Sequence, residues 1–233
     1  MPTKSQAEDH AGMKLRAAQR ALELVESGMT LGLGSGSTAT IWIKLLGEKV
    51  RNQGLRIRAI ASSDDSERLG KSLGIPFVTF EECRSLDLTV DGADEIAPGL
   101  ALSKGGGGKL LREKIVASAS KRFVIVADES KVVEKLGRFP LPVEVIPMAA
   151  SLVTISLKEI GFTPKIRMKT DGTQYITDEG NLILDCSGLL MDNPCEIAAR
   201  LDSMVGVVEH GLFLNMATSA LIAGEQNIIE RTK

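Results

Sequence analysis

Apolar residues recur along the first 130 or so positions in short runs that alternate with amphipathic stretches. A first helix is predicted over about residues 5–27, where apolar residues such as Leu15, Ala18 and Leu22 fall at helical spacing. Further helices are predicted over residues 39–50, 64–73 and 109–120, and strands over residues 29–33, 55–61, 86–90 and 123–127. Because strands and helices alternate, the pattern predicts an α/β fold with a doubly wound, mostly parallel (Rossmann-like) sheet.

The pattern changes around residues 139–142, where two prolines interrupt the chain. The units that follow come in the order strand, helix, strand, strand, helix, strand, which is typical of a small α+β (ferredoxin-like) domain. These strands are predicted over residues 143–147, 164–169, 181–186 and 207–214, and the helices over residues 148–160 and 195–201. The last segment, 218–233, is expected to hold one strand and to return to the first domain. The predicted domains are 1–138 (Rossmann-like, with the candidate chemistry), 139–208 (small) and 209–233 (return segment).

Composition excludes several classes of function. A hydrophobic fraction of 43% and a charged fraction of 25% are ordinary for a folded protein. The net charge of −2 offers no basic field for a nucleic-acid partner, and 3% aromatic residues argue against a platform on which bases would stack. Two histidines argue against a multi-histidine metal site.

The expected location is the cytoplasm, with no membrane partner. Three cysteines lie outside any CxxC pattern and indicate reduced thiols. No apolar run reaches the roughly 18 residues that span a bilayer, and the polar start differs from a signal peptide.

A glycine-rich segment, residues 32–39, lies between the first predicted strand and the next helix. Glycines let the backbone approach a ligand closely, and the hydroxyl and N–H groups of residues 35–38 suit a phosphate. The glycine spacing also satisfies the dinucleotide pattern, but the next strand ends in Ser62 and Ser63 rather than in an acidic residue that would hold a ribose hydroxyl. The alternative interpretation of this segment is a tight turn with a helix cap that has only a structural role.

Three carboxylates, Asp91, Asp94 and Glu95, follow the predicted strand at 86–90 directly. At the carboxyl end of a parallel strand, such a group can chelate a divalent cation or transfer protons. A solvated acidic turn is the alternative.

Four consecutive glycines follow Lys104 and precede a predicted helix. Ordering glycines costs much conformational entropy, so a run of them in a folded protein indicates a ligand loop, with a disordered linker as the alternative. Glu113 lies about one turn into the helix. It is a candidate base, or else a surface residue paired with Lys109 four positions earlier. Together the three segments suit proton transfer next to a carbonyl on a phosphorylated small molecule, and composition and spacing do not choose the molecule.

Six segments, in chain order, resemble ribose-5-phosphate isomerase of the A type: GLGSGSTA, SSDDSERLGKSLGIP, VDGADEI, KGGGGKLLREKIVA, VADESK and FPLPVEVIPMA. The resemblance extends over about residues 15–229. It implies an aldose–ketose isomerase of the pentose phosphate pathway that interconverts D-ribose 5-phosphate and D-ribulose 5-phosphate through a cis-enediol, without metal or cofactor. It also implies a homodimer or a homotetramer.

The resemblance implies roles for individual residues. Glu113 is expected to be the general base between C1 and C2, and Lys104 to steady charge on the enediolate. Asp91 and Asp94 are expected to contact sugar hydroxyls, with Asp91 assisting ring opening. The other expected substrate contacts are Ser35, Gly36, Ser37, Thr38, Gly92, Ala93, Gly105, Gly106, Gly107 and Lys131.

Other functions stay open at this point. A sugar-phosphate sensor domain is one, although the chain lacks a helix-turn-helix and a basic face. A sugar-phosphate deaminase or a coenzyme A transferase of related fold is another, and each would need other catalytic motifs. A dinucleotide-dependent oxidoreductase is the third.

Overall fold

The computed structural model describes residues 4–233, with side chains described from His10 onward. The chain divides into two compact units. The first unit consists of the described part of Met1–Ala93 together with Arg112–Val132 and Met216–Lys233. The second consists of Asp94–Leu111 and Val133–Asn215. Each unit has its own sheets and its own apolar core.

Within residues 4–233 the helices are α1 (Lys4–Leu22), α2 (Gly36–Gln53), α3 (Asp64–Ser72), α4 (Leu110–Ser118), α5 (Ala150–Glu159) and α6 (Pro194–Asp202). The strands of the same residues are β1 (Thr30–Leu33), β2 (Arg58–Ala61), β3 (Leu88–Asp91), β4 (Glu95–Ala97), β5 (Ala101–Ser103), β6 (Phe123–Asp128), β7 (Leu141–Val145), β8 (Thr163–Ile166), β9 (Leu182–Ser187), β10 (Val207–His210), β11 (Leu212–Phe213), β12 (Ser219–Ala223) and β13 (Ile228–Thr232). Among the residues described, no helix has the length and apolar character needed to cross a bilayer.

The first unit is built on a six-stranded sheet with the order β13-β12-β6-β3-β1-β2. Every neighbouring pair is parallel except β12 and β13 at one edge. The strands β1, β3, β6 and β12 are buried along their whole length, which is why they appear in the sequence as apolar runs without alternation. The predicted α/β class with a mostly parallel sheet is confirmed.

The strand order reverses between β1 and β3. The chain goes from β1 to β2 on one side of this point, and from β3 through β6 to β12 on the other. In doubly wound sheets the ligand crevice lies at the carboxyl ends of the strands that flank such a reversal. Residues 34–38 follow β1, and residues 92–93 follow β3, so two of the candidate segments lie there.

Serine precedes two helices of this unit. Ser35 is extended (φ −123°, ψ 165°) and precedes α2 without a side-chain cap hydrogen bond, and Gly54, in the left-handed region (φ 65°), follows the end of that helix. Ser63 precedes α3, and its Oγ accepts a hydrogen bond from the backbone N of Ser66 at 3.1 Å. Both starts agree with the preference of serine for the position before a helix.

The second unit contains a four-stranded antiparallel sheet with the order β10-β7-β9-β8. In chain order the elements are β7, α5, β8, β9, α6 and β10, which is the ferredoxin-like arrangement. Leu141, Val143, Leu157 and Leu184 are fully buried in its core. The predicted smaller α+β part is confirmed.

Two short strands of the second unit, β4 and β5, are absent from the sequence prediction. They form a three-stranded antiparallel sheet with β11. With three residues each, they are too short to show alternation. The single strand predicted over residues 207–214 is wrong, because the chain breaks into β10 and β11 around Gly211. There an added Cβ would lie 2.3 Å from the carbonyl oxygen of Lys104.

The ends of the chain differ from the prediction as well. α1 ends at Leu22 rather than near residue 27, and the last segment holds two strands, β12 and β13, rather than one. The predicted domain ranges stay a prediction. The compact units differ from them because Asp94–Leu111, with β4 and β5, belongs to the second unit through pairing with β11.

Candidate active site

The loop after β1 and the aspartate at the end of β3 form one structure in the first unit. Oδ1 of Asp91 accepts hydrogen bonds from the backbone N of Ser35 and of Gly92, each at 2.8 Å. The backbone N of Gly34 donates to the carbonyl oxygen of Val90 at 3.0 Å. A Cβ on Gly34 would lie 2.3 Å from Cγ of Asp91, so only glycine permits this approach. Asp91 is 1% exposed, and its buried carboxylate fixes the start of the loop.

Hydroxyl groups hold the same loop from the side of β2. Oγ of Ser35 lies 2.8 Å from Oγ of Ser62, and the hydroxyl of Ser66 donates to the carbonyl oxygen of Gly34 at 2.7 Å. The loop leads into α2, whose first N–H groups and dipole favour an anion. Gly36 and Ser37 are exposed, and Thr38 is buried.

A lysine that the sequence analysis did not select lies at this loop. Nζ of Lys14, on α1, donates to Oγ of Ser37 at 3.1 Å. It places a cation next to the N-terminus of α2, where an anionic ligand is already favoured. Nothing in the spacing of α1 distinguishes Lys14 from other polar residues of an amphipathic helix.

Glu113 and Lys131 belong to the first unit on separate elements. Glu113 is in the first turn of α4 and is 5% exposed, so the alternative of an ordinary surface glutamate is wrong. Buried carboxyl groups are uncommon and cluster at functional sites. Lys131 is half-buried and ends a 3₁₀ turn, Glu129–Lys131. The turn is capped by the buried Asp128, whose Oδ1 accepts from the backbone N of Ser130 at 3.1 Å.

The second unit contributes Asp94, Lys104 and the glycine loop. The backbone N of Gly106 donates to Oδ2 of Asp94 at 2.7 Å, and the backbone N of Asp94 donates to the carbonyl oxygen of Ser103 at 2.8 Å. Lys104 is 3% exposed, and its Nζ lies 5.3 Å from the ring centre of Phe213, within cation–π range. The structure thus brings Asp94 to the glycine loop, as it brings Asp91 to the loop after β1.

The glycine loop is anchored by residues that the sequence analysis missed. Nη1 of Arg167 donates to the carbonyl oxygens of Gly105 and Gly106, each at 3.0 Å. The hydroxyl of Tyr175 donates to the carbonyl oxygen of Gly107 at 3.3 Å. These anchors show that residues 105–108 are not a disordered linker. The targets are backbone carbonyls, so no side-chain motif points to these residues.

One group among the described residues has the composition of a metal site. Ligand atoms of Asp202, Glu209 and His210 lie within 4.8 Å of one another. The backbone N of Leu212 donates to Nδ1 of His210 at 3.2 Å, so the neutral ring carries its proton on Nε2, which faces Oδ1 of Asp202 at 3.1 Å. A metal on Nε2 would require the proton on Nδ1, where the N–H of Leu212 points. The arrangement is that of a hydrogen-bonded histidine and not of a metal ligand.

The family model for ribose 5-phosphate isomerase A (phosphoriboisomerase A) matches residues 58–227. The chain belongs to the ribose 5-phosphate isomerase A family. Ribose-5-phosphate isomerase A of Sinorhizobium fredii is 48% identical over 223 residues, covering 94% of this chain and 96% of that protein. The protein of the same name from a Roseiflexus species is 48% identical over 217 residues, covering 92% and 93%.

Solved structures of isomerases share this fold. Ribose 5-phosphate isomerase A from Methanocaldococcus jannaschii superposes with a TM-score of 0.92 at 38% identity, covering 96% of this chain and all of that one (100%). A D-ribose-5-phosphate isomerase in complex with phospho-erythronic acid gives a TM-score of 0.92 at 33% identity, covering 96% and 99%. The family predicted from the six segments is confirmed, and the sensor, deaminase, transferase and oxidoreductase alternatives are not favoured.

Proposed function

We propose that this chain interconverts D-ribose 5-phosphate and D-ribulose 5-phosphate through a cis-enediolate. The observation that carries the proposal is the joined structure at the strand reversal. There an anion-binding helix start is hydrogen-bonded, through Ser35, to the buried carboxylate of Asp91. One end of this structure suits a phosphate and the other suits sugar hydroxyls. Membership of the isomerase family supports the same substrate.

The phosphate is assigned to residues 35–38 and Lys14. The N–H groups at the start of α2 and the hydroxyls of Ser37 and Thr38 are donors, and Lys14 adds a positive charge at Ser37. This combination of helix start, hydroxyls and cation is the usual one for a phosphate ester. Lys131, on its capped turn, is assigned a further contact with the substrate.

The sugar hydroxyls are assigned to Asp91 and Asp94. Both carboxylates are fixed by backbone N–H groups, Asp91 by Ser35 and Gly92, and Asp94 by Gly106. A carboxylate held in this way keeps oxygen lone pairs that accept hydroxyl protons in a fixed direction. Asp91 assists ring opening by accepting the O1 proton. Gly92 and Ala93 follow it and line the substrate with their backbone.

Glu113 is assigned the proton transfer. In the open-chain aldose its carboxylate removes the proton from C2, the electron pair forms a C1–C2 double bond, and the C1 oxygen becomes negatively charged. Glu113 then returns the proton to C1 while the O2 proton moves to O1, which leaves a ketone at C2. Burial of Glu113 limits the hydration of its carboxylate, which a base must otherwise lose before it reaches a carbon-bound proton.

Lys104 is assigned the stabilisation of the negative charge that develops on the enediolate. Its ammonium group and the N–H groups of Gly105 and Gly107 are donors for the C1 or C2 oxygen, while the N–H of Gly106 serves the substrate by holding Asp94. A well-aimed donor of this kind contributes about 3–4 kcal/mol to the transition state. These assignments give the transfers of the carbon-bound proton to Glu113 and the O1 proton of ring opening to Asp91.

The proposal is tested by incubating the protein with ribose 5-phosphate in D₂O containing EDTA and recording proton NMR spectra. We expect ribulose 5-phosphate to appear with deuterium at the isomerising carbon, because the proton on Glu113 exchanges with solvent. Absence of turnover in a folded sample would refute the isomerase function. Turnover that EDTA abolishes would refute the assignment to side chains alone.

Two variants test the residue roles. Glu113→Gln is expected to lower kcat by about 10²-fold or more, because a neutral amide accepts no proton. Lys104→Ala is expected to lower kcat/KM. The matched control is Glu48→Gln at an exposed position of α2, which should leave the kinetics unchanged. Near-normal turnover of Glu113→Gln would remove that residue from the mechanism.

We also propose a homodimer or homotetramer in the cytoplasm. Large apolar side chains of the second unit are exposed, among them Met148 (93%), Leu152 (69%) and Val205 (95%), which supports association. The three cysteines are free, as is usual in a reducing compartment. Light scattering on the purified protein tests the first statement, and a monomer at micromolar concentration would contradict it. Cell fractionation tests the second.

A further inference from the structure

Arg167 has an unusual set of partners within the second unit. Its Nε and Nη2 donate to the two carboxylate oxygens of Asp185, the Nε bond to Oδ2 being 2.9 Å long. Its Nη1 is left for the carbonyl oxygens of Gly105 and Gly106. The guanidinium lies 5.9 Å from the ring centre of Tyr175, which itself donates to Gly107. The side chain is only 13% exposed, so these partners take the place of water.

The two carbonyl contacts determine where the loop's N–H groups point. In a trans peptide the C=O and the N–H point in opposite directions. Since the carbonyl of Gly105 faces Arg167, the N–H of Gly106 faces away, and it donates to Oδ2 of Asp94 at 2.7 Å. The carbonyl of Gly106 also faces Arg167, so the N–H of Gly107 is likewise turned away from the guanidinium. One atom of Arg167 therefore orients two consecutive peptide planes.

We propose that Arg167, held by Asp185, is a positioning residue for the isomerisation. It fixes the Gly106 and Gly107 N–H groups in the direction from which they serve the substrate, Gly106 through Asp94 and Gly107 directly. The inference rests on the proposed function and adds to it. Arg167 does not touch the reacting atoms; it acts by preorganising donors that stabilise developing negative charge, where fixed orientation counts most.

Only arginine satisfies this arrangement. The planar guanidinium engages both oxygens of a carboxylate with one edge and still presents a further N–H to the loop. A lysine ammonium at the same place is a point donor that cannot hold Asp185 at two points and two carbonyls at once. Arg167→Lys thus keeps the positive charge and removes the orientation, which separates the two effects.

The test compares wild type, Arg167→Lys and the matched control Arg200→Lys, which alters an exposed i,i+4 pair with Glu196 on α6. We expect Arg167→Lys to lower kcat/KM by about 10²-fold, mainly through kcat, as for a displaced positioning group. The inhibition constant of phospho-erythronic acid should rise in parallel, while KM changes little. Arg200→Lys should match wild type in all three. A kcat and an inhibition constant equal to wild type in Arg167→Lys would overturn the proposal.

Asp185→Asn is the second variant, in case Arg167→Lys does not fold. It keeps the arginine but offers an amide N–H where the guanidinium needs an acceptor, so we expect a loss of about tenfold in kcat with the same parallel rise in the inhibition constant. Loss of activity that only follows the folded fraction, with an unchanged inhibition constant in the folded part, would overturn the positioning role. Wild type without turnover would refute the proposed function instead, so the two failures are distinct.

Discussion

Each compact unit carries one glycine-rich loop, and the two loops are fixed by different means. The loop after β1 is held from the ends of adjacent parallel strands, by Asp91 at the end of β3 and by Ser62 just after β2. The loop after β5, residues 105–108, is held by Arg167 and Tyr175 from the antiparallel part of the second unit. The first contact set follows from the sheet topology, and the second does not.

The glycines also serve different purposes in the two loops. Gly34 is required because a Cβ there would overlap the Asp91 carboxyl group at 2.3 Å. In the second loop a Cβ on Gly106 would lie 2.6 Å from Oδ1 of Asp94, whereas one on Gly107 would meet nothing within 4 Å. Close packing of glycine against a carboxylate is therefore common to both loops, but in the second it is confined to one of the neighbouring glycines.

The largest effect is expected for Gly34→Ala in the first loop. The new methyl group must displace the buried Asp91, which breaks its bonds to Ser35 and Gly92. We expect kcat/KM to fall by about 10²-fold or more and stability by about 1–3 kcal/mol. Steady-state kinetics and thermal melting measure the two effects.

The control for that change is Gly54→Ala at the end of α2. It places a side chain in open space, at a residue in the left-handed region (φ 65°), a conformation that Gly34 does not have. It should cost about 1–2 kcal/mol of stability and leave kcat/KM unaltered. Normal kinetics in Gly34→Ala would mean that Asp91 tolerates displacement and that the two loops do not share this requirement.

Next in size is the contrast between Gly106→Ala and Gly107→Ala. The first places a methyl group against Asp94 and the ring of Phe139 (2.9 Å), so we expect kcat/KM to fall by about 10- to 100-fold, with a lower melting temperature. Gly107→Ala should melt within about 1 °C of wild type because its Cβ meets no protein atom. Equal melting temperatures for the two variants would contradict the contact with Asp94.

The sequence predicted the first loop better than the second for a physical reason. Buried parallel strands need continuous apolar runs, so β1, β3 and β6 were visible, and the carboxyl-end rule then placed residues 35–38 and Asp91 at the same edge. Six segments in order identified the family. Glu113 was predicted from the resemblance, while its position in the helix alone favoured a surface residue.

The features that sequence reasoning missed are side chains that bond to backbone carbonyls, contacts between packed helices, and strands of only three residues. Arg167 lies in a predicted strand segment, but its ligands are carbonyl oxygens, which every residue has. Lys14 reaches Ser37 across the packing of α1 against α2, which no spacing rule gives. Strand β5 forms by pairing with β11, more than 100 residues along the chain, and β4 pairs with β5. The three-residue length of β4 and of β5 leaves no periodicity to detect.

A smaller difference, in stability, is expected between removing a buried hydrogen bond that holds the first loop and removing an exposed one that holds the second. Ser66→Ala removes the donor to the carbonyl of Gly34. It also removes the acceptor for the hydroxyl of Ser63, which donates to Ser66 Oγ at 3.0 Å. Since both groups are buried, we expect a loss of about 1–3 kcal/mol. Tyr175→Phe removes the donor to Gly107, whose exposed carbonyl can bind water, and should change the melting temperature by less than about 1 °C. Losses of similar size would erase this distinction between the loops.

The smallest expected effect is a difference in pH dependence between the units. Burial raises the pKa of Glu144 on β7, against hydrogen bonds from Asn181 and Thr177 that lower it. The folded state thus binds this proton more tightly than the unfolded state, and the resulting stabilisation is complete below the unfolded pKa of about 4.3 and is lost as the pH rises. Glu144→Gln keeps the acceptor oxygen without the charge. The difference between the melting temperatures of Glu144→Gln and wild type should therefore become more favourable to the variant, by about 2 °C or more, when the pH is raised from 4 to 7.

Asp87 in the first unit should behave in the opposite way. The hydrogen bond from Lys121, and then that from the backbone N of Thr30, lower the pKa of Asp87. Its stabilisation is present above the unfolded pKa and is lost as the pH falls, so Asp87→Asn should melt below wild type at pH 7 and approach it near pH 3. Glu159→Gln, exposed on α5, is the control for the substitution itself. Curves of the same sign for Glu144→Gln and Asp87→Asn would show that the buried carboxylate of the second unit is stabilised by its hydrogen bonds after all, since those bonds would then outweigh burial.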